Sequence, residues 1–167
     1  MNKNLMQAHP DKDQLDKLFP YIQQYQELAS RHGIHDIFQD NGGKLLQLVL
    51  ITGLKVTGKR EGNDAIDSRG KEYELKTVNA SLTASFSTHH HLNLAILAKY
   101  RKVDWFFAVY EGIELQRIYY MRPKQLAVYF DAWEKKYRSN EQAINNPKIP
   151  LKFVQQSGRL VYERPGD

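Results

Sequence analysis

The chain predicts a mixed α/β fold in one domain, a central mixed sheet flanked by helices. Three observations predict it. A helix-period apolar stripe opens the chain, two short β-prone pairs each surround a turn signal, and helical stretches separate the pairs. With 167 residues and no low-complexity tract, repeat or interdomain linker, the chain has the length of one domain with a real core.

Residues 11–32 read as an amphipathic helix, because Leu15, Leu18, Ile22, Tyr25, Leu28 and Ala29 recur at three- and four-residue spacing. Gly33 is placed to end it, and Pro20 inside the pattern predicts a kink or a restart. The stripe suits core packing or a dimer face equally. Residues 42–52 are nearly continuously apolar between Gly42-Gly43 and Gly53 and read as a second helix. Strands are expected at Lys55–Thr57, Asn63–Asp67 and Glu72–Val78, and a helix at 92–102 with Leu94, Leu97 and Ala98 on one side. Trp105–Tyr110 and Glu114–Met121 form a hairpin across Glu111-Gly112. Pro123 opens a helix running to about Tyr137. A polar loop fills 138–150, and Lys152–Val154 with Leu160–Tyr162 are read as a last pair of short strands across Ser157-Gly158.

Composition excludes several function classes. There are no cysteines, which removes disulfides, thiolate metal sites and cysteine nucleophiles. No apolar run has the length of a membrane span, and Met1–Gln7 shows neither a signal core nor a cleavage site, so no membrane partner and a cytoplasmic location are expected. The net charge of +5 lies entirely in residues 84–167, since 1–83 balance to zero. A basic half tilts the reading towards a polyanion, although a solvated surface carries such a charge as well.

Chemistry concentrates between Asp64 and Lys76. Asp67-Ser68-Arg69-Gly70 is turn chemistry. In a hairpin centred on Arg69, Asp64 faces Glu74, and Lys76 projects from the same face as Glu74. Opposed carboxylates destabilise a strand pair unless a divalent cation sits between them, and Mg²⁺ takes one or two carboxylates beside water and substrate phosphate. This is the pattern of a metal-dependent phosphodiester-cutting centre. A solvated sheet face gives the same pattern without chemistry, and a bulge at Gly70 would shift the register.

Three further segments could read nucleic acid. Ser87-Thr88-His89-His90-His91 carries imidazoles and hydroxyls able to meet base edges, or is a capped helix start with Ser87 or Thr88 as cap. Asn145-Asn146 before Pro147 could pair with adenine and its neighbour, or form a plain turn. Asp40, in Gln39-Asp40-Asn41-Gly42-Gly43, is an unusual acid for a phosphate cleft.

These segments resemble the PvuII-type family of type II restriction endonucleases, from about His32 to Pro150 and less closely elsewhere. The matching stretches are His32-Gly33-Ile34, Asp36 to Gln47, Arg60 to Ala65, Glu72 to Lys76, Phe86 to His91, Ala98 to Arg101 and Ile144 to Pro150. The resemblance implies a restriction-endonuclease-like core. It also implies Mg²⁺, one or two ions per site, held by Asp64, Glu74 and the Leu75 backbone carbonyl, with Lys76 as the catalytic lysine and Tyr100 as a modulatory neighbour. By the same resemblance His90 and His91 read G·C pairs with Ser87, Thr88 and His89 in support, Asn145 and Asn146 read the central bases and the adenine, and Asp40 couples recognition to catalysis. The expected layout is a dimerisation region at about 1–45, a catalytic region at about 55–100 and recognition elements at about 86–150.

The implied activity is hydrolysis of double-stranded DNA at the palindrome CAGCTG with a blunt central cut, by a homodimer paired with a cognate methyltransferase. The sequence departs from the family in a longer N-terminus, in Glu163–Asp167, and in a loop one residue shorter between Arg138 and Ala143. Two rivals remain: a repair nuclease that cuts by DNA shape, and a DNA-binding module without catalysis.

Overall fold

The computed structural model describes residues 9–57, 64–140 and 142–165. Strand β1 spans Lys55–Val56, β2 Ala65–Ile66 and β3 Glu72–Asn79. Strand β4 is Ser85–Ser87, β5 Asp104–Glu111, β6 Glu114–Met121, β7 Lys148–Pro150 and β8 Arg159–Glu163. Helix α1 is Lys12–Arg31, α2 Gly42–Thr52, α3 Leu94–Tyr100, α4 Ala127–Asn140 (entered through a 3-10 turn at Pro123–Leu126) and α5 Leu151–Ser157.

Among the described residues the main sheet has six strands in the order β1-β2-β3-β5-β6-β8, and β4 pairs β7 in a separate ribbon. The sheet is mixed: β3 and β5 are parallel, joined by a crossover through β4 and α3, while the other neighbours are antiparallel. Its two faces carry separate cores. Trp105, Phe107, Val109, Tyr119 and Met121 face α3, α4, α5 and the β4–β7 ribbon. Leu75, Ala108, Tyr110 and Ile118 face α2, through Leu48 and Val49.

Several expectations need correction. Helix α1 runs unbroken through Pro20. Residues 11–20 are all exposed, so water satisfies the carbonyl that Pro20 cannot bond. Helix α3 starts only at Leu94, with the Asn93 side chain accepting from the Ile96 amide at 3.0 Å. Its buried side is Leu97 and Tyr100, and Ala98 is exposed. Residues 151–157 form a helix, not a strand, and β8 pairs with β6 rather than with its sequence neighbour. Val154 of α5 packs into the first core, so a buried valine in a short apolar run read as a strand belongs to a helix. Of the strand expected at Asn63–Asp67, Asn63 lies outside the described residues.

Candidate active site

The hairpin register is the one the turn dictates. Ala65 pairs with Tyr73 and Ile66 with Glu72, and the Asp67 amide donates to the Lys71 carbonyl at 2.9 Å. This register puts Asp64 across from Glu74, and Gly70 at φ 81° adopts the left-handed conformation without shifting it.

Three side chains meet there. Lys76 Nζ lies 2.5 Å from Glu74 Oε1 and 4.0 Å from Asp64 Oδ2. Asp64 Oδ2 also accepts from the Leu75 amide at 2.9 Å, which ties the first acid to the strand carrying the second. The two carboxylates are unequal: the Asp64 side chain is 41 % exposed and that of Glu74 only 5 %. Behind them stand two aromatic rings, Tyr100 and Trp105, each with its centroid 5.8 Å from Lys76 Nζ, and the Tyr100 phenol lies near enough to Glu74 to favour its ionised form.

Electrostatics follow from that burial. Desolvation pushes the Glu74 carboxyl up to about 7; the charge of Lys76 pulls it down and that of Asp64 adds to the rise. For Lys76, burial by itself would lower the pKa, but Glu74 and Asp64 outweigh it and hold the amine above the ordinary lysine range. Burial also raises the Tyr100 phenol.

The site opens on a cleft of about 570 Å³ whose lining includes Asp40, Asp64, Lys76, Thr77, Ser87 and Thr88. Asp40 and Asn41 both have positive φ, 47° and 61°, at the entry to α2. Gly42 follows because a Cβ there would stand 2.3 Å from the Asp36 carbonyl oxygen. The loop is fastened to α1: Gln26 accepts from the Ile37 amide and donates to the Ile34 carbonyl, and Tyr25 donates to the Gly43 carbonyl.

The remaining candidates come together through long-range pairing. Strands β4 and β7 set Ser87 across from Lys148, and a single bridge joins Leu92 to Ile144. The Asn146 amide donates to the His89 carbonyl at 2.9 Å, so the asparagine and histidine segments form one surface. His90, His91 and Asn145 are exposed on it. Thr88 donates its hydroxyl to the Pro147 carbonyl at 2.7 Å and is left able only to accept from another partner. Ser87 Oγ accepts from Lys148 Nζ at 2.5 Å and keeps its own proton to donate. Neither Ser87 nor Thr88 caps a helix; Asn93 does. His89 accepts from the His91 amide through Nδ1, and burial with the nearby Lys76 charge lowers its pKa, so it is neutral.

Sequence reasoning did not single out Trp105 or Lys148. Trp105 reaches Lys76 because β5 runs parallel to β3 with Trp105 beside Glu74, a pairing with no local signature. Lys148 lay within the matching stretch 144–150, and only the β4–β7 register reveals that it holds Ser87.

A mixed sheet with an acid pair and a buried lysine on its central hairpin has the architecture of a restriction-endonuclease-like hydrolase. The family model described as restriction endonuclease PvuII matches residues 10–162. The chain belongs to that family: it is a type II restriction endonuclease, a site-specific deoxyribonuclease whose partner is DNA. Enzymes of this kind generally use divalent metal ions, and the residues fit one. Asp64 and Glu74 are hard oxygen donors, and Glu74 is a buried acid whose charge a nearby cation would stabilise. Among the described residues no group of three or more His, Cys, Asp or Glu is gathered for a metal, so water and phosphate would complete the shell. No described helix is long and apolar enough to cross a membrane.

Proposed function

We propose that the chain cuts double-stranded DNA in a Mg²⁺-dependent reaction at a palindromic site, CAGCTG by the family resemblance, with a blunt central cut. The observation that carries the reading is the meeting of Asp64, Glu74 and Lys76, of which Asp64 and Lys76 line the same cleft as Asp40, Ser87 and Thr88. Asp64, Glu74 and the Leu75 carbonyl would hold one or two Mg²⁺ ions, which supply polarisation of the phosphate, acidification of the attacking water and charge for the leaving oxygen.

The protein's own groups do the rest. Without metal the two carboxylates hold Lys76 as an ammonium, a donor and a charge; a cation bound to those carboxylates would offset their pull, and burial would then favour the neutral amine, a base for the attacking water. As an ammonium it orients water or a phosphate oxygen and stabilises negative charge as the phosphorus becomes five-coordinate. Tyr100, close to Glu74, favours that carboxylate's ionised form and so modulates the site from behind. Products carry 5′-phosphate and 3′-hydroxyl ends.

Recognition is assigned to the joined surface. His90 and His91 face the G·C pairs, Asn145 and Asn146 the central bases and the adenine, and Ser87, Thr88 and His89 hold the segment in place. Asp40 shares the cleft with Asp64 and Lys76 and can link reading to cutting. A two-fold site calls for two copies, one per half-site. The start of α1 supports this, since Leu15, Leu18 and Phe19 are 51, 50 and 46 % exposed on an otherwise uncovered face. The regions at about 1–45, 55–100 and 86–150 then serve dimerisation, catalysis and recognition. A cognate methyltransferase would protect the host site, because a methyl group on a base amine contacted by His90 adds bulk and removes a donor.

Digestion of a plasmid of known sequence with Mg²⁺, followed by mapping of fragment ends, tests this. Discrete blunt fragments ending inside CAGCTG are expected. Cutting without discrete fragments would identify a shape-selective nuclease, and binding without cutting a recognition module; either outcome rejects the proposal.

A further inference from the structure

The acid pair depends on a register held by very few ladder contacts. Strand β2 contributes two residues, and its pairing with β3 consists of Ala65–Tyr73 and Ile66–Glu72. A slip of one residue in so short a strand would turn Asp64 away from Glu74 and carry the buried Ala65 to the opposite face. Ladder bonds this few do not make the register unique. The buried Ala65 and the Asp64 bond to the Leu75 amide favour this register, and the turn can add a constraint of its own.

The Asp67 carboxylate supplies that constraint. Its Oδ1 accepts from two backbone amides, Arg69 at 2.8 Å and Lys71 at 3.0 Å. Its Oδ2 accepts from the Tyr73 hydroxyl at 3.2 Å, and Tyr73 is the β3 residue paired with Ala65. The main chain of Asp67 closes the same loop twice, donating to the Lys71 carbonyl at 2.9 Å and accepting from the Gly70 amide at 3.1 Å. One half-buried side chain therefore fixes the length of the turn and ties it to a defined position on β3. The Arg69 guanidinium, 4.0 Å away and 88 % exposed, adds little. The bonds from the Lys71 amide, then from Arg69 and Tyr73, hold the carboxyl below its ordinary range, so it is ionised and acceptor-only at neutral pH.

We infer that Asp67 is a positioning residue for the metal-binding acid Asp64: it locks the hairpin in the one register that sets Asp64 across from Glu74 and beside Lys76. The inference rests on the reading of Asp64 and Glu74 as metal ligands. It adds that their preorganisation is bought three residues away, by a carboxylate that does not reach the metal. Groups bonded directly to a metal ligand are worth about 10–100-fold in metal affinity; Asp67 acts on Asp64 only through the hairpin, which puts its expected effect at the low end of that range.

The test is Ca²⁺ binding by the purified full chain, measured by titration calorimetry without DNA, with thermal melting and dimer state followed in parallel. Asp67→Ala should weaken Ca²⁺ binding about tenfold. Asp67→Asn keeps the Oδ1 acceptor for both amides and should recover most of that loss. Tyr73→Phe leaves the turn intact and removes only the Oδ2 anchor, so a smaller loss of a few fold is expected; it carries the test if Asp67→Ala does not fold. A merely structural residue would lower the melting temperature of all variants without this graded order in Ca²⁺ affinity. Ca²⁺ affinity unchanged in both Asp67→Ala and Tyr73→Phe, while Asp64→Asn abolishes binding, would overturn the role of Asp67 alone. Unchanged affinity in Asp64→Asn would overturn the ligand assignment and the positioning role with it.

Discussion

The hairpin proposed for catalysis and the surface proposed for recognition are built by opposite means. Asp64, Glu74 and Lys76 lie within thirteen residues, and a four-residue turn with a two-residue strand brings them together. Ser87–His91 and Asn145–Asn146 lie more than fifty residues apart, and the β4–β7 ribbon, one bridge and the bonds Asn146–His89, Thr88–Pro147 and Lys148–Ser87 unite them. The first site gathers charge: a buried acid, Glu74, and a half-exposed one, Asp64, against a buried ammonium. The second presents imidazole, amide and hydroxyl groups, with Thr88 bonded to the Pro147 carbonyl and Ser87 held by Lys148. Damage to the hairpin should therefore cost rate and leave binding, and damage to the ribbon should cost discrimination first.

Asp64→Ala and Lys76→Ala give the sharpest separation. Each should lower single-turnover cutting of a cognate duplex by at least about a hundredfold, while gel-shift affinity in Ca²⁺ for the Lys76 variant changes little. A normal cutting rate in either variant would remove the site assignment. On the other side, His91→Ala should narrow the preference for the cognate site over one with a changed G·C pair by about 1–3 kcal/mol. The readout is the ratio of kcat/KM values on the two duplexes; an unaltered ratio breaks the comparison, because recognition would then lie elsewhere.

Electrostatic contrast can be read without DNA. The folded-state pKa of Glu74, about 7, stands above its unfolded value of 4.5, so the folded chain binds this proton more tightly. In EDTA the wild type should therefore lose stability relative to Glu74→Gln as pH rises from 4.5 to 7, and the difference should then level off. Saturating Ca²⁺ should remove the trend. Denaturant melts of both proteins across that range measure it, and a difference independent of pH in EDTA contradicts the burial argument. The smallest effect belongs to the ribbon: Thr88→Val loses the bond to the Pro147 carbonyl and should cost about 1 kcal/mol of stability. Cutting at the cognate site should persist, with looser discrimination. A loss of rate as deep as that of Lys76→Ala would show that the two regions are not separable.

Legibility followed the same division. The turn Asp67–Gly70 and the alternation of Glu74 and Lys76 are local, so the hairpin register could be written down before any fold was known. The helix at 12–31 is legible from its apolar periodicity, and that at 42–52 only from the glycines that flank it, because a nearly continuous apolar run fits helix or strand alike. Residues 151–157 were misread because seven residues with few apolar positions fit either period, and packing of Val154 under the sheet settled the matter.

What the sequence determined by itself was the inventory and its local geometry: two acids and an amine on one hairpin, a histidine run, an asparagine pair, and the family that holds them in this order. Tertiary structure alone decided which of these meet. Parallel pairing of β3 with β5 set Trp105 behind Lys76, burial made Glu74 a high-pKa acid, the two carboxylates kept Lys76 charged against its burial, and the ribbon gave Lys148 to Ser87. The reason is physical. Turn chemistry and side-chain period act over a few residues, whereas desolvation and strand-to-strand contact depend on what the rest of the chain brings into the same volume.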